Sequence, residues 1–177
     1  MKKRMLIIIA SLFLFCSTAF AKIGIGPELG FSGTYYYSGY IGLSLKLEKP
    51  NLVFTVMGGG GYWGGTLGLA VDYWFLNNKI QDLDKSATFN WYIGVGGKGA
   101  VNFFSYYRDS AKTAAGGLIL ARMPVGFNFF VSQQKIEPFI QLALGFGVGF
   151  YPAPEDGRTS AYFAWEIPLS IGCRFWI

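Results

Sequence analysis

The chain has 177 residues, of which 52% are hydrophobic, 19% aromatic and only 14% charged. This is the length of one domain. So little charge excludes intrinsic disorder, and it is a poor match to a soluble surface, where about 25% of residues are charged. Histidine is absent, which removes the commonest general base and metal ligand at neutral pH, and the net charge of +5 is concentrated at the start of the chain.

Lys2, Lys3 and Arg4 precede an apolar run from Met5 to Phe15, followed by Ser17-Thr18-Ala19-Phe20-Ala21. A basic start, a short apolar core and an A-x-A end predict a secretory signal peptide over 1–21, cut after Ala21. The run is shorter than the roughly 20 residues a membrane-spanning helix needs, which argues against an uncleaved anchor. Phe15 is too bulky for a lipoprotein signal at Cys16. The predicted mature chain, 22–177, loses three of the fifteen basic residues and no acid, so its net charge falls to +2. That balance gives no nucleic-acid signal. Cys173 is then the one cysteine, which can form neither an internal disulfide nor a metal cluster.

The mature chain has no run of 18 apolar residues, so no transmembrane helix is expected. It alternates instead with period two, which predicts eight strands at about 23–31, 40–47, 52–57, 66–75, 88–103, 118–129, 136–150 and 161–177. One face of each is apolar. It carries Ile23, Ile25, Leu29 and Phe31 in the first strand, and Ile41, Leu43, Leu45 and Leu47 in the second. In the fourth it carries Leu67, Leu69, Val71, Tyr73 and Phe75, and in the eighth Phe163 through Ile177 at every odd position. The other face is glycine, small polar residues and every in-strand charge: Glu28, Lys46, Asp72, Lys98, Arg122, Glu137, Glu166 and Arg174.

Such a face is a poor solvent surface and a good crowded interior. The expected fold is therefore all-β: an eight-stranded antiparallel transmembrane barrel, apolar side to lipid and polar side to the lumen. Lipid forbids unpaired backbone groups, so the sheet must close. Aromatics fit a membrane boundary: Trp91 and Phe103 bracket the fifth strand, and Trp165 and Phe175 lie ten residues apart on the eighth. The connections 32–39, 58–65, 104–117 and 151–160 are expected outside, with 48–51, 76–87 and 130–135 as inner turns. The stretch 76–87 is long for a turn. Pro27, Pro124, Pro138 and Pro168 fall inside strands and predict bulges or strand ends.

Counting across the loops sets Glu137 nearly opposite Arg174 and Lys98 level with Arg122. This predicts a lower lumenal cluster of Glu28, Lys46, Asp72, Glu137 and Arg174, and an upper one of Lys98, Arg122 and Glu166.

The last strand, Ser170-Ile171-Gly172-Cys173-Arg174-Phe175-Trp176-Ile177, resembles the C-terminal insertion signal of small bacterial outer-membrane barrels. In that signal a polar residue (Ser170) and a glycine (Gly172) precede apolar residues at alternating final positions (Phe175, Ile177). Most members end in Phe or Trp where this chain has Ile177. The pattern over 22–177 is similar to the group represented by the OmpA barrel domain, OmpX and OmpW. Arg122-Met123-Pro124-Val125-Gly126 and Glu166-Ile167-Pro168-Leu169 also resemble a spirochaete family of uncharacterised outer-membrane barrels. The resemblance implies an outer-membrane location, a lipid bilayer as surroundings and the barrel-assembly machinery as a partner. It also implies that enzymatic barrels of this size lean on His-containing sites, so no catalytic site, cofactor or metal is expected here.

An eight-stranded interior is just wide enough to be filled by side chains. The expected function is a structural or surface-contact barrel with a charge-paired lumen. A narrow channel for ions, water or small hydrophobic molecules is the alternative. A host or extracellular ligand would meet Tyr35, Tyr36, Tyr37, Tyr106, Tyr107, Arg108 and Lys112 in the outer loops.

Overall fold

The computed structural model describes residues 22–33, 38–61, 64–84, 87–105, 113–133, 135–152 and 159–177. The predicted signal peptide and the loop tyrosines, Arg108 and Lys112 lie outside the described residues. Eight strands follow one another: β1 (Ile23–Gly33), β2 (Ser38–Leu47), β3 (Leu52–Gly61), β4 (Gly64–Asp84), β5 (Ala87–Ser105), β6 (Thr113–Phe130), β7 (Ile136–Pro152) and β8 (Thr159–Trp176). Each pairs antiparallel with its sequence neighbours, and β8 returns to β1, so the sheet is a closed barrel. At the seam Ile23 and Ile177 exchange backbone bonds of 3.1 and 2.9 Å. The start of β1 and the C-terminal Ile177 therefore lie at one end, the terminus end. No helix among the described residues is long and apolar enough to cross a membrane.

The barrel is apolar outside and polar inside. Ile41, Phe163 and Ile119 are 69%, 73% and 67% exposed, whereas Lys46, Glu137 and Arg174 are 1%, 0% and 0% exposed. Water would penalise that outer surface and reward the opposite arrangement, so the surroundings of the wall are lipid. Leu47 is the exception on the outer face of β2. It is buried at the rim, where Ile23 faces it.

The strands are staggered. Following ladder partners around the sheet from Glu28 gives Gly42, Met57, Gly68, Ala100, Leu118, Gly149 and Tyr162. The β8–β1 register then leads to position 38, ten residues beyond the start. Such a stagger tilts the strands, by about 35–45° in closed barrels.

Three expectations are corrected. First, 58–65 is not a loop: β3 runs to Gly61 and β4 starts at Gly64. Glycines carry no face, so alternation cannot be read through them. Second, 76–87 is not an inner turn. β4 and β5 continue as a hairpin to the pair Asp84–Ala87, past the end of β3, whose last β4 partner pair is Leu52–Tyr73. Three bulges in β4 leave Phe75, Ile80 and Leu83 as extra residues and break the period. Third, the prolines produce no register shift. Ile25 faces Phe175 and Glu28 faces Gly172, with two rungs missing at Gly26 and Pro27. Pro124 interrupts the β5–β6 ladder in the same way, Pro168 interrupts β7–β8, and Pro138 lies just past the end of the β6–β7 ladder. Each lacks an N–H on one side only, so its other neighbour still pairs.

Candidate functional site in the lumen

All eight predicted lumenal charges are buried. At the terminus end, Glu137 is a hub. Its Oε1 accepts from Lys46 Nζ at 2.7 Å, from Asn128 Nδ2 at 2.6 Å and from Arg174 Nη1 at 3.5 Å. Its Oε2 accepts from Trp176 Nε1 at 3.0 Å. Arg174 is Glu137's ladder partner, and its Nε donates to Ser44 Oγ at 3.0 Å. Charge-assisted bonds of this kind are the strong ones, and the donors come from three strands, β2, β6 and β8.

Aromatic rings enclose the hub. Lys46 Nζ lies 4.1 Å from the Trp74 centroid, and the Arg174 guanidinium lies 3.8 Å from that of Phe139. Both are cation–π distances. Trp74 stacks on Tyr92 of the adjacent strand at 3.5 Å and 8°, both rings buried.

These rings fit because six inward aromatics each face a glycine on an adjacent strand. The pairs are Tyr40–Gly30, Trp176–Gly24, Trp74–Gly94, Tyr92–Gly126, Phe139–Gly172 and Tyr162–Gly149. A Cβ on Gly30, Gly149 or Gly172 would enter the facing ring. The aromatics fill the volume that the glycines vacate.

Higher up, Lys98 Nζ donates to Glu166 Oε2 at 2.6 Å, and Arg122 Nε lies 3.1 Å from Asp72 Oδ1. Glu28 accepts from Tyr40 Oη at 3.0 Å and Thr55 Oγ1 at 3.2 Å.

The two predicted clusters are therefore regrouped. Lys46, Glu137 and Arg174 form one group, and Lys98 pairs with Glu166. Arg122 leaves the expected upper cluster for Asp72, and Glu28 is held by hydroxyls. The cause is a register difference. β6 begins at Thr113, so Arg122 faces Gly96 and Lys98 faces Leu120. Asp72 also faces Gly96, so one glycine separates acid from base. A Cβ there would meet Asp72 Oδ1 and the Val71 carbonyl oxygen. Gly96→Val is expected to destabilise the folded barrel by about 1–3 kcal/mol, the usual penalty of overpacking. Urea unfolding against wild type measures it.

One inclined row carries more of this order. Lys46 faces Val53, Val53 faces Asp72, and the row continues through Gly96, Arg122 and Gly145 to Glu166. Its charges alternate in sign, with Val53, Gly96 and Gly145 between them.

The remaining named residues sit on both faces. Ser170 is buried inward, and Gly172 faces Phe139. Phe103, Trp165, Phe175 and Ile177 are exposed outward, and Trp91 is half-buried. Sequence reading missed Trp74, Tyr92, Phe139 and Trp176. Parity was the available signal: Trp74, Phe139 and Trp176 each stand two residues from a lumenal charge.

At the terminus end the lumen opens into a vestibule of about 440 Å³, lined by Asn77, Lys79, Asp82, Thr88 and Asn90 of the hairpin among others. Lys46, Phe130 and Trp176 also line it, and the Glu137 hub stops it. Among the described residues no group of His, Cys, Asp or Glu could hold a metal ion. Cys173 is a free thiol.

A closed eight-stranded sheet, apolar outside and packed with paired charges inside, defines the class: a transmembrane β-barrel of the small outer-membrane type. Solved structures with this fold include Neisserial surface protein A, at 11% identity, covering 87% of this chain and 95% of that one, TM-score 0.50. The N-terminal barrel domain of Pseudomonas aeruginosa OprF matches at 13% identity over 89% and 98%, TM-score 0.48. A major outer membrane protein of Thermus thermophilus matches at 13% over 88% and 99%, TM-score 0.47. At these identities the likeness is one of fold. No family model and no curated protein matches the sequence.

Proposed function

We propose that the chain is a structural outer-membrane barrel whose lumen is closed, exported by its 1–21 signal and without a catalytic role. The observation that carries this reading is the Glu137 hub with the Trp74–Tyr92 stack packed against it. Side chains of β2, β6, β7 and β8 meet within one cross-section, and the stack lies against their cations, Lys46 and Arg174. Ser170, Gly172, Phe175 and Ile177 would present β8 to the assembly machinery. Any surface contact with a host ligand would use the outer loops.

Planar-bilayer recording of the folded protein is the test. A closed lumen gives no resolved conductance steps; regular steps would establish the narrow channel instead. A second check uses the upper pair. Glu166→Ala leaves Lys98 buried without its acid, and breaking a buried pair costs about 3–5 kcal/mol. The thermal transition of the barrel, read by its heat-dependent gel mobility, is expected to fall. An unchanged transition would mean that the pair does not hold the plug.

A further inference from the structure

We propose that the β4–β5 hairpin docks on the lipid headgroup surface at the terminus end, extending the barrel's lipid contact beyond its rim on that side. This rests on the barrel standing in a bilayer, not on whether its lumen conducts.

The hairpin has two unlike faces. Asn77, Lys79, Asp82, Thr88 and Asn90 turn to the vestibule, and Lys79 donates to Asp82 at 2.7 Å. The opposite face mixes apolar side chains with the exposed amides of Asn78 and Gln81, which suits an interface and not hydrocarbon. Each of the three bulges in β4 inserts an apolar residue, Phe75, Ile80 and Leu83, and these are 49%, 50% and 55% exposed. Bulges usually interrupt a strand's pattern without regard to polarity. Here all three supply side chains to the same outward column.

That column continues the lipid-facing wall. Asn78 faces Trp91, which faces Phe127; Gln81 faces Phe89, which faces Phe129. Phe89 stacks on Phe127 and Phe129, at 5.5 and 4.6 Å. Ile80 and Leu83 thus stand beside an aromatic group of the type that settles at membrane–water boundaries. Past Trp74, whose N–H donates to the Asn51 carbonyl at 3.0 Å, the β4 edge has no β3 partner, so its backbone groups need a hydrated layer, not hydrocarbon. The interfacial zone supplies water and accepts apolar side chains together.

The test places an environment-sensitive fluorophore at Ile80→Cys or Leu83→Cys in a Cys173→Ser background. The folded barrel is reconstituted in phosphatidylethanolamine–phosphatidylglycerol vesicles. Lys79→Cys, on the vestibule face, is the reference, and heat-dependent mobility confirms folding. Headgroup-nitroxide lipid is expected to quench positions 80 and 83 at least about twofold more than position 79, with iodide showing the reverse order. Iodide quenching at 80 and 83 equal to that at 79 would overturn the proposal. So would protection from both quenchers, which would mean that a protein, such as a second copy, covers the face. Should either variant fail to fold, Asn78→Cys reports on the same column.

Discussion

Replacing Glu137 with alanine is expected to cost the barrel about 3–5 kcal/mol, the range for removing one member of a buried ion pair. Glu137 is fully buried and neutralises two cations, Lys46 and Arg174, that are themselves 1% and 0% exposed. Without it two buried cationic side chains lose their acid, and Asn128 and Trp176 lose their acceptor. Glu137→Gln keeps an acceptor and should recover part of the loss. The exposed Lys79–Asp82 pair is the control. Its side chains are 55% and 58% exposed, so Lys79→Ala should shift stability by no more than about 1 kcal/mol. Urea or thermal unfolding followed by gel mobility reads all three. Equal stability of Glu137→Ala and wild type would show that the hub is not what holds the lumen together.

Trp74→Ala is the second large effect. Trp74 is 1% exposed, stacks on Tyr92 and lies over Lys46. Truncating a buried tryptophan costs about 3–5 kcal/mol where the site cannot collapse. A closed, hydrogen-bonded wall is poorly able to collapse, so the space should remain. That space lies between the vestibule and the upper lumen, so the variant is expected to show conductance steps that wild type lacks. Destabilisation without conductance would place the closure elsewhere, at the Glu137 hub or at Lys98–Glu166. Neither effect would mean that the stack is dispensable.

The fold was legible wherever side chains declare a face. In β8, Glu166 and Arg174 share one parity and Trp165 through Ile177 the other, so strand, orientation and closure could all be read. Gly58–Gly61 and Ala114–Gly117 declare nothing, and β3, β4 and β6 run further than their pattern shows. The hairpin was hidden for the opposite reason: Phe75, Ile80 and Leu83 break a rhythm that a reader expects to persist.

In the lumen, Glu137 opposite Arg174 could be counted because the two are ladder neighbours across one loop. The upper level likewise joins Lys98 with Glu166, which meet across the interior; the stagger, which decides which levels coincide, takes Arg122 out of that level. Asp72 with Arg122 required the register of two ladders through Gly96. The inward aromatics escaped notice because hydrophobicity was equated with the outer face. Their facing glycines, which make the room, mark them as interior.

The inclined row has an electrical consequence. The backbone positions of Lys46, Asp72, Arg122 and Glu166 recur at every second strand, about 10 Å apart, and each charged group has an opposite charge beside it. A mobile ion of either sign, passing these neutralised pairs, would meet no net pull over the full path. If mutation unblocks the interior, the leak should discriminate little between potassium and chloride, with a reversal potential near zero in a salt gradient.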